Sequence, residues 1–147
     1  MSEDKTPYGK PDTLSIIESI LGDYYKRGSS MQINELLDLQ DRLSIHSYRL
    51  AEKSADAKTD YNGLYFIKEI SLQRDIRNRM KGNISKAAAT VEAETTPDAE
   101  ERFKAELEAE AEAYKLDLLL KQVNKVLSAM QQRISYLKEE KNREVKH

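Results

Sequence analysis

A chain of 147 residues with a formal net charge of −2, 34% charged residues and no cysteine excludes disulfides, thiol chemistry and zinc sites built on Cys ligands. The near-neutral balance favours no class of partner by itself, and the high charged content fits amphipathic helices better than a thick globular core. The longest uninterrupted apolar run, Leu64-Tyr65-Phe66-Ile67, is too short to span a bilayer, and the polar N-terminus lacks the apolar centre of a signal peptide. The expectation is a cytoplasmic protein that uses neither a membrane nor a cofactor.

Residues 1–11 hold Pro7, Pro11, Gly9 and several charges and read as a disordered arm. Asp12 is a good cap for a short helix over 12–28, in which Leu14, Ile17, Leu21 and Tyr24 make one apolar stripe. Gly28-Ser29-Ser30 ends it. A long helix follows over 31–94, with Leu36, Leu43, Leu50, Ala57 and Leu64 at seven-residue spacing. Asn62-Gly63 and Gly82-Asn83 are its candidate breaks. His46 lies on this helix and reads as a surface or interface residue.

Pro97 is the only proline after Pro11. In Thr96-Pro97-Asp98 the threonine suits a cap, proline the first helical position and aspartate the positive helix end, so a second long helix spans 97–145. Leu116, Val123, Met130 and Leu137 repeat there every seven residues, flanked by Leu119, Val126 and Ile134. A stripe this wide exceeds a two-stranded seam and predicts a helix with more than one neighbour. Upstream, Phe103, Leu107, Ala111, Tyr114 and Leu118 continue an apolar face that reads as bundle core.

The predicted fold is therefore all-α: one helical domain over 12–147, built as a long antiparallel hairpin or coiled coil turning near Pro97, with a short N-terminal helix. A two-helix hairpin buries one stripe per helix, which seldom suffices alone, so a homo-oligomer is expected. Its interface is assigned to Leu116, Leu119, Val123, Val126, Met130, Ile134 and Leu137.

Charge is segregated. Lys68, Arg74, Arg77, Arg79, Lys81 and Lys86 stand against Glu69 and Asp75, a net of +4. Between Glu92 and Glu112 nine acids stand against Arg102 and Lys104, a net of −7. Two readings follow. The segments neutralise each other across a helix pair, or the six cations bind nucleic acid, with Tyr61, Tyr65 and Phe66 available to stack unpaired bases. No Gly-rich phosphate loop, Ser-His-Asp set or helical Glu-x-x-His pair occurs, so no enzyme is expected.

The run Glu110-Ala111-Glu112-Ala113-Tyr114-Lys115-Leu116-Asp117, continued by Leu118 to Leu120, Val126-Leu127, Met130, Arg133-Ile134 and Leu137, resembles the C-terminal helix of the UvsY-type recombination mediators of tailed phages. Tyr61 and Tyr65, followed by Arg77-Asn78-Arg79 and Gly82, resemble that family's aromatic segment and basic element. The likeness spans roughly residues 36–138; the double tyrosine usual between basic pair and glycine is missing. The resemblance implies a ring-like helical oligomer in which Arg77-Asn78-Arg79 contacts single-stranded DNA. Its further partners would be a RecA-like recombinase and the single-strand-binding protein, in the cytoplasm of a phage host. The alternative is a non-enzymatic coiled-coil interaction protein, either a virion assembly scaffold or an inhibitor of a host defence complex.

Overall fold

The computed structural model describes residues 12–145, and every regular element among them is helical: α1 (Thr13–Arg27), a 3-10 turn (Gly28–Ser30), α2 (Ile33–Met80), α3 (Lys86–Glu94) and α4 (Pro97–Val145). The arm expected over residues 1–11 lies outside the described residues, as does His147. The chain divides into two compact units. One holds α1, the first part of α2 to Lys53 and α4 from Asp117; the other runs from Ser54 to Leu116.

In the first unit, Asp12 caps α1 by accepting a hydrogen bond from the Ser15 amide at 2.8 Å. The helix stops at Gly28, where a Cβ atom would lie 2.8 Å from the Tyr24 ring, so only glycine lets the ring lie across the backbone. Ile17 and Ile20 of α1, Leu36, Leu43 and Leu50 of α2, and Val123, Met130 and Ile134 of α4 are all but fully buried. The wide α4 stripe thus has two neighbouring helices, the arrangement its width requires. Polar contacts at the rim fix the register. Gln122 donates to the Tyr25 hydroxyl at 2.9 Å, Gln40 to Gln131 Oε1 at 2.8 Å, and Arg133 to the Ser29 carbonyl at 3.1 Å.

In the second unit, α2 continues unbroken through Asn62-Gly63 and ends at Met80. The chain then reverses over residues 81–85. Gly82 donates to the Arg79 carbonyl at 3.0 Å, and Asn83 takes the left-handed conformation at φ 71°. Asparagine tolerates that region better than other non-glycine residues. Ser85 then caps α3 by accepting from the Ala88 amide at 3.1 Å. Ile76 of α2 packs with Ala89 and Ala93 of α3, the small side chains letting the two helices approach closely, with Leu72 and Ile84 alongside.

The reversal expected near Pro97 is therefore at Gly82-Asn83. At Thr95-Thr96 the chain only restarts a helix: Thr96 Oγ1 accepts from the Ala99 amide at 3.1 Å and Pro97 opens α4. A Thr-Pro pair supplies a cap and a first-turn residue, whereas the reversal here uses the left-handed geometry of Asn83. The antiparallel sense within this unit follows from the register, since Arg79 meets Glu92 and Lys68 meets Glu106.

Gly63 gives a direct measure of helix propensity in α2. It is exposed, and a Cβ there meets nothing within 4 Å. Gly63→Ala will raise stability by about 0.5–1 kcal/mol, read as an upward shift of the thermal midpoint. An unchanged or lower midpoint would mean that the helix does not run continuously through this point.

Candidate nucleic-acid interface

The six cations of the basic segment separate into two groups. Lys68 and Arg79 face inward. Lys68 Nζ is in direct contact with Glu106, whose side chain is only 7% exposed, and lies 5.0 Å from the Tyr65 ring centroid and 5.5 Å from that of Phe103. The hydrogen bond to Glu106 raises Lys68 above its ordinary lysine value, against the opposing effect of burial. Arg79 bonds Asp75 at 3.1 Å and Glu92 at 3.2 Å, and the Asp75 bond is the main reason its pKa lies above the usual arginine value. Both side chains are spent on holding α2 to its neighbours.

Arg74, Arg77, Lys81 and Lys86 are exposed and make no ion pair among the described residues. Arg74 and Arg77 fall at i and i+3 on α2, with Lys81 at i+7 just past its end, and Ile70 and Phe66 continue the same face one and two turns upstream. That face lies opposite Lys68 and Ile76, hence away from the packed side of the helix. A shallow groove of about 350 Å³ runs along it, lined by Phe66, Glu69, Ile70, Gln73, Arg74 and Arg77. Phe66 is 64% exposed. Lys81 stands at the reversal and Lys86 opens α3, so four unpaired cations surround one end of the unit.

Tyr61 is half-buried and Tyr65 faces Lys68, which leaves Phe66 as the aromatic ring on the cationic face. Aromatic residues at 61, 65 and 66 were legible from the sequence. Only the packing direction of α2 separates the outward ring from the two others.

The stripe assigned to an oligomer interface is placed differently. Leu116, Val123, Val126, Met130 and Ile134 are between 0% and 6% exposed within the single chain, and Leu119 and Leu137 are half-buried. Val123, Val126, Met130 and Ile134 pack within the first unit, where α1 supplies the extra neighbour that the stripe demands. Conversely, the face read as bundle core is open: Phe103, Leu107, Tyr114 and Leu118 are each about half exposed or more, and Ala111 is exposed.

A second depression, of about 440 Å³, lies beside the Lys68–Glu106 pair and mixes Arg102 with Glu69, Glu94, Leu72 and Phe103. Among the described residues no group of three or more His, Asp or Glu side chains is placed to hold a metal ion, and no helix is long and apolar enough to cross a membrane. No protein-family model matches the chain, and neither a curated protein nor a solved structure matches it significantly.

Proposed function

We propose that this protein binds single-stranded nucleic acid without sequence preference and acts as a recombination mediator. The observation that carries the reading is the outward face of α2, where Phe66, Ile70, Arg74 and Arg77, with Lys81 just past the helix end, combine exposed apolar surface with cations that form no ion pair among the described residues. Guanidinium groups at helical spacing meet successive phosphates, and an exposed ring offers a stacking surface to any base. The resemblance of the basic element to the UvsY-type mediators extends the proposal to a role in loading a RecA-like recombinase against the single-strand-binding protein. Of the basic pair in that element, Arg77 is the one free to touch DNA; Arg79 is engaged by Asp75 and Glu92.

Binding should fall with salt in proportion to the number of phosphates neutralised. Four contacts on a single strand give a slope of about −2.8 in log K against log salt, or roughly a 50-fold loss of affinity on a fourfold rise in salt. The test is fluorescence anisotropy with labelled oligothymidylate. Changing Arg74, Arg77, Lys81 and Lys86 together to Ala should abolish the salt-dependent binding, while Phe66→Ala should weaken it by about 1–3 kcal/mol. Equal affinity of wild type and the fourfold variant would sink this reading.

The alternative, an interaction protein of the coiled-coil kind, draws support from the open apolar face of α4 with its acidic residues.

A further inference from the structure

We propose that the outward face of α4 in one copy of this chain docks the basic–apolar face of α2 in a second copy. Phe103, Leu107 and Tyr114 are 52%, 48% and 65% exposed and fall at steps of four and seven on α4, so they share one face. Glu100 and Glu110 stand on that same face, three residues before Phe103 and three after Leu107, and both are exposed. An apolar stripe of this kind, interleaved with carboxylates and left open by the fold, fits an amphipathic helix that carries cations among its apolar side chains.

This chain presents such a helix. On α2, Phe66, Ile70, Arg74 and Arg77 follow one another at steps of four, four and three, beside the spacing of Phe103, Leu107, Glu110 and Tyr114 at four, three and four. Run in parallel, Ile70 meets Leu107 and Arg74 meets Glu110. Run antiparallel, Ile70 again meets Leu107 and Arg77 meets Glu100. Charge and apolar surface therefore match in both senses, which is the argument for a second copy over an unrelated partner.

Lys68 and Glu106 point α2 and α4 at each other; the α2 docking face lies on the far side of its helix, whereas the α4 face adjoins the pair, Phe103 lying 5.5 Å from Lys68 Nζ. A contact from α2 of one copy to α4 of the next leaves one free face of each kind, so the interface is heterologous and assembly continues past a dimer. The same two arginines carry the nucleic-acid reading, and one α2 face holds one partner at a time.

Sedimentation velocity without nucleic acid tests the docking by itself, so its failure leaves the nucleic-acid reading untouched. Wild type at low salt should show a mass that rises with concentration beyond twice that of the chain and falls with added salt. R74E/R77E and E100K/E110K should each remain monomeric with unchanged thermal midpoints. Mixed in equal amounts they should assemble again, because each reversed face then finds its complement on the other variant. Wild type that stays monomeric up to submillimolar concentration, variants that assemble like wild type, or a mixture that stays monomeric would each overturn the proposal.

Discussion

Val123→Asp will remove the cooperative thermal transition of the first unit. Val123 is 0% exposed and lies midway along the α4 stripe that faces α1 and α2. A carboxylate there is stripped of water without a partner, which costs several kcal/mol even after its pKa rises to keep it neutral. The lost valine burial adds about 1.5–3 kcal/mol. Against a typical total of roughly 5–15 kcal/mol, the sum leaves little folded population. Met130→Ala is a graded companion, since a cavity at a fully buried methionine costs about 2–5 kcal/mol. Ser128→Asp, on the exposed side of the same helix, should stay within about 0.5 kcal/mol of wild type and controls for helix propensity. Because Val123 is buried within the single chain, the loss should not depend on protein concentration. Destabilisation that vanished on concentrating the sample would return Val123 to an interface between copies.

The seven-residue repeats were legible because a stripe at helical spacing must be buried somewhere. Leu36, Leu43, Leu50, Val123 and Met130, picked by spacing alone, are all 0% exposed. What covers a stripe is another matter. Periodicity marks Val123 and Phe103 alike as apolar faces, yet α1 closes over the first, while the second, with Lys68 against its ring, stays 52% exposed. The reversal was misplaced for a related reason. Pro97 is the loudest signal in the sequence, but Thr96-Pro97 is compatible with a helix restart, and the quieter Gly82-Asn83 carries the geometry that turns the chain. Charge counting likewise found the basic segment without showing that Lys68 and Arg79 would be consumed internally. Which cations are free depends on Glu106 and Glu92, residues 38 and 13 positions away, and that pairing exists only once the helices have packed.

Lys68→Met will destabilise the second unit by about 3–5 kcal/mol, because it leaves Glu106 buried among helices without its counter-charge. The prediction rests on burial: the side chains of Lys68 and Glu106 are 18% and 7% exposed, unlike those of the surface pairs such as Lys121–Asp117, whose lysine is 68% exposed. A pair in that surface setting is worth about 0–1 kcal/mol. Glu106→Leu combined with Lys68→Met should recover most of the loss, since apolar side chains of similar size replace the charges without an unpaired remainder. The recovery separates the cost of orphaning a charge from the worth of the pair. Alkaline pH should expose the same contact. Glu106 raises the folded-state pKa of Lys68 above its ordinary value of 10.5, so the pair's contribution is fully present below about 10.5 and is lost as pH rises through the higher folded value. The double variant should therefore lose less stability than wild type in that alkaline range. Denaturant melts at neutral and alkaline pH measure both effects. A single-variant loss below about 1 kcal/mol would place Lys68 with the surface pairs, and would return it to the set of cations open to phosphate.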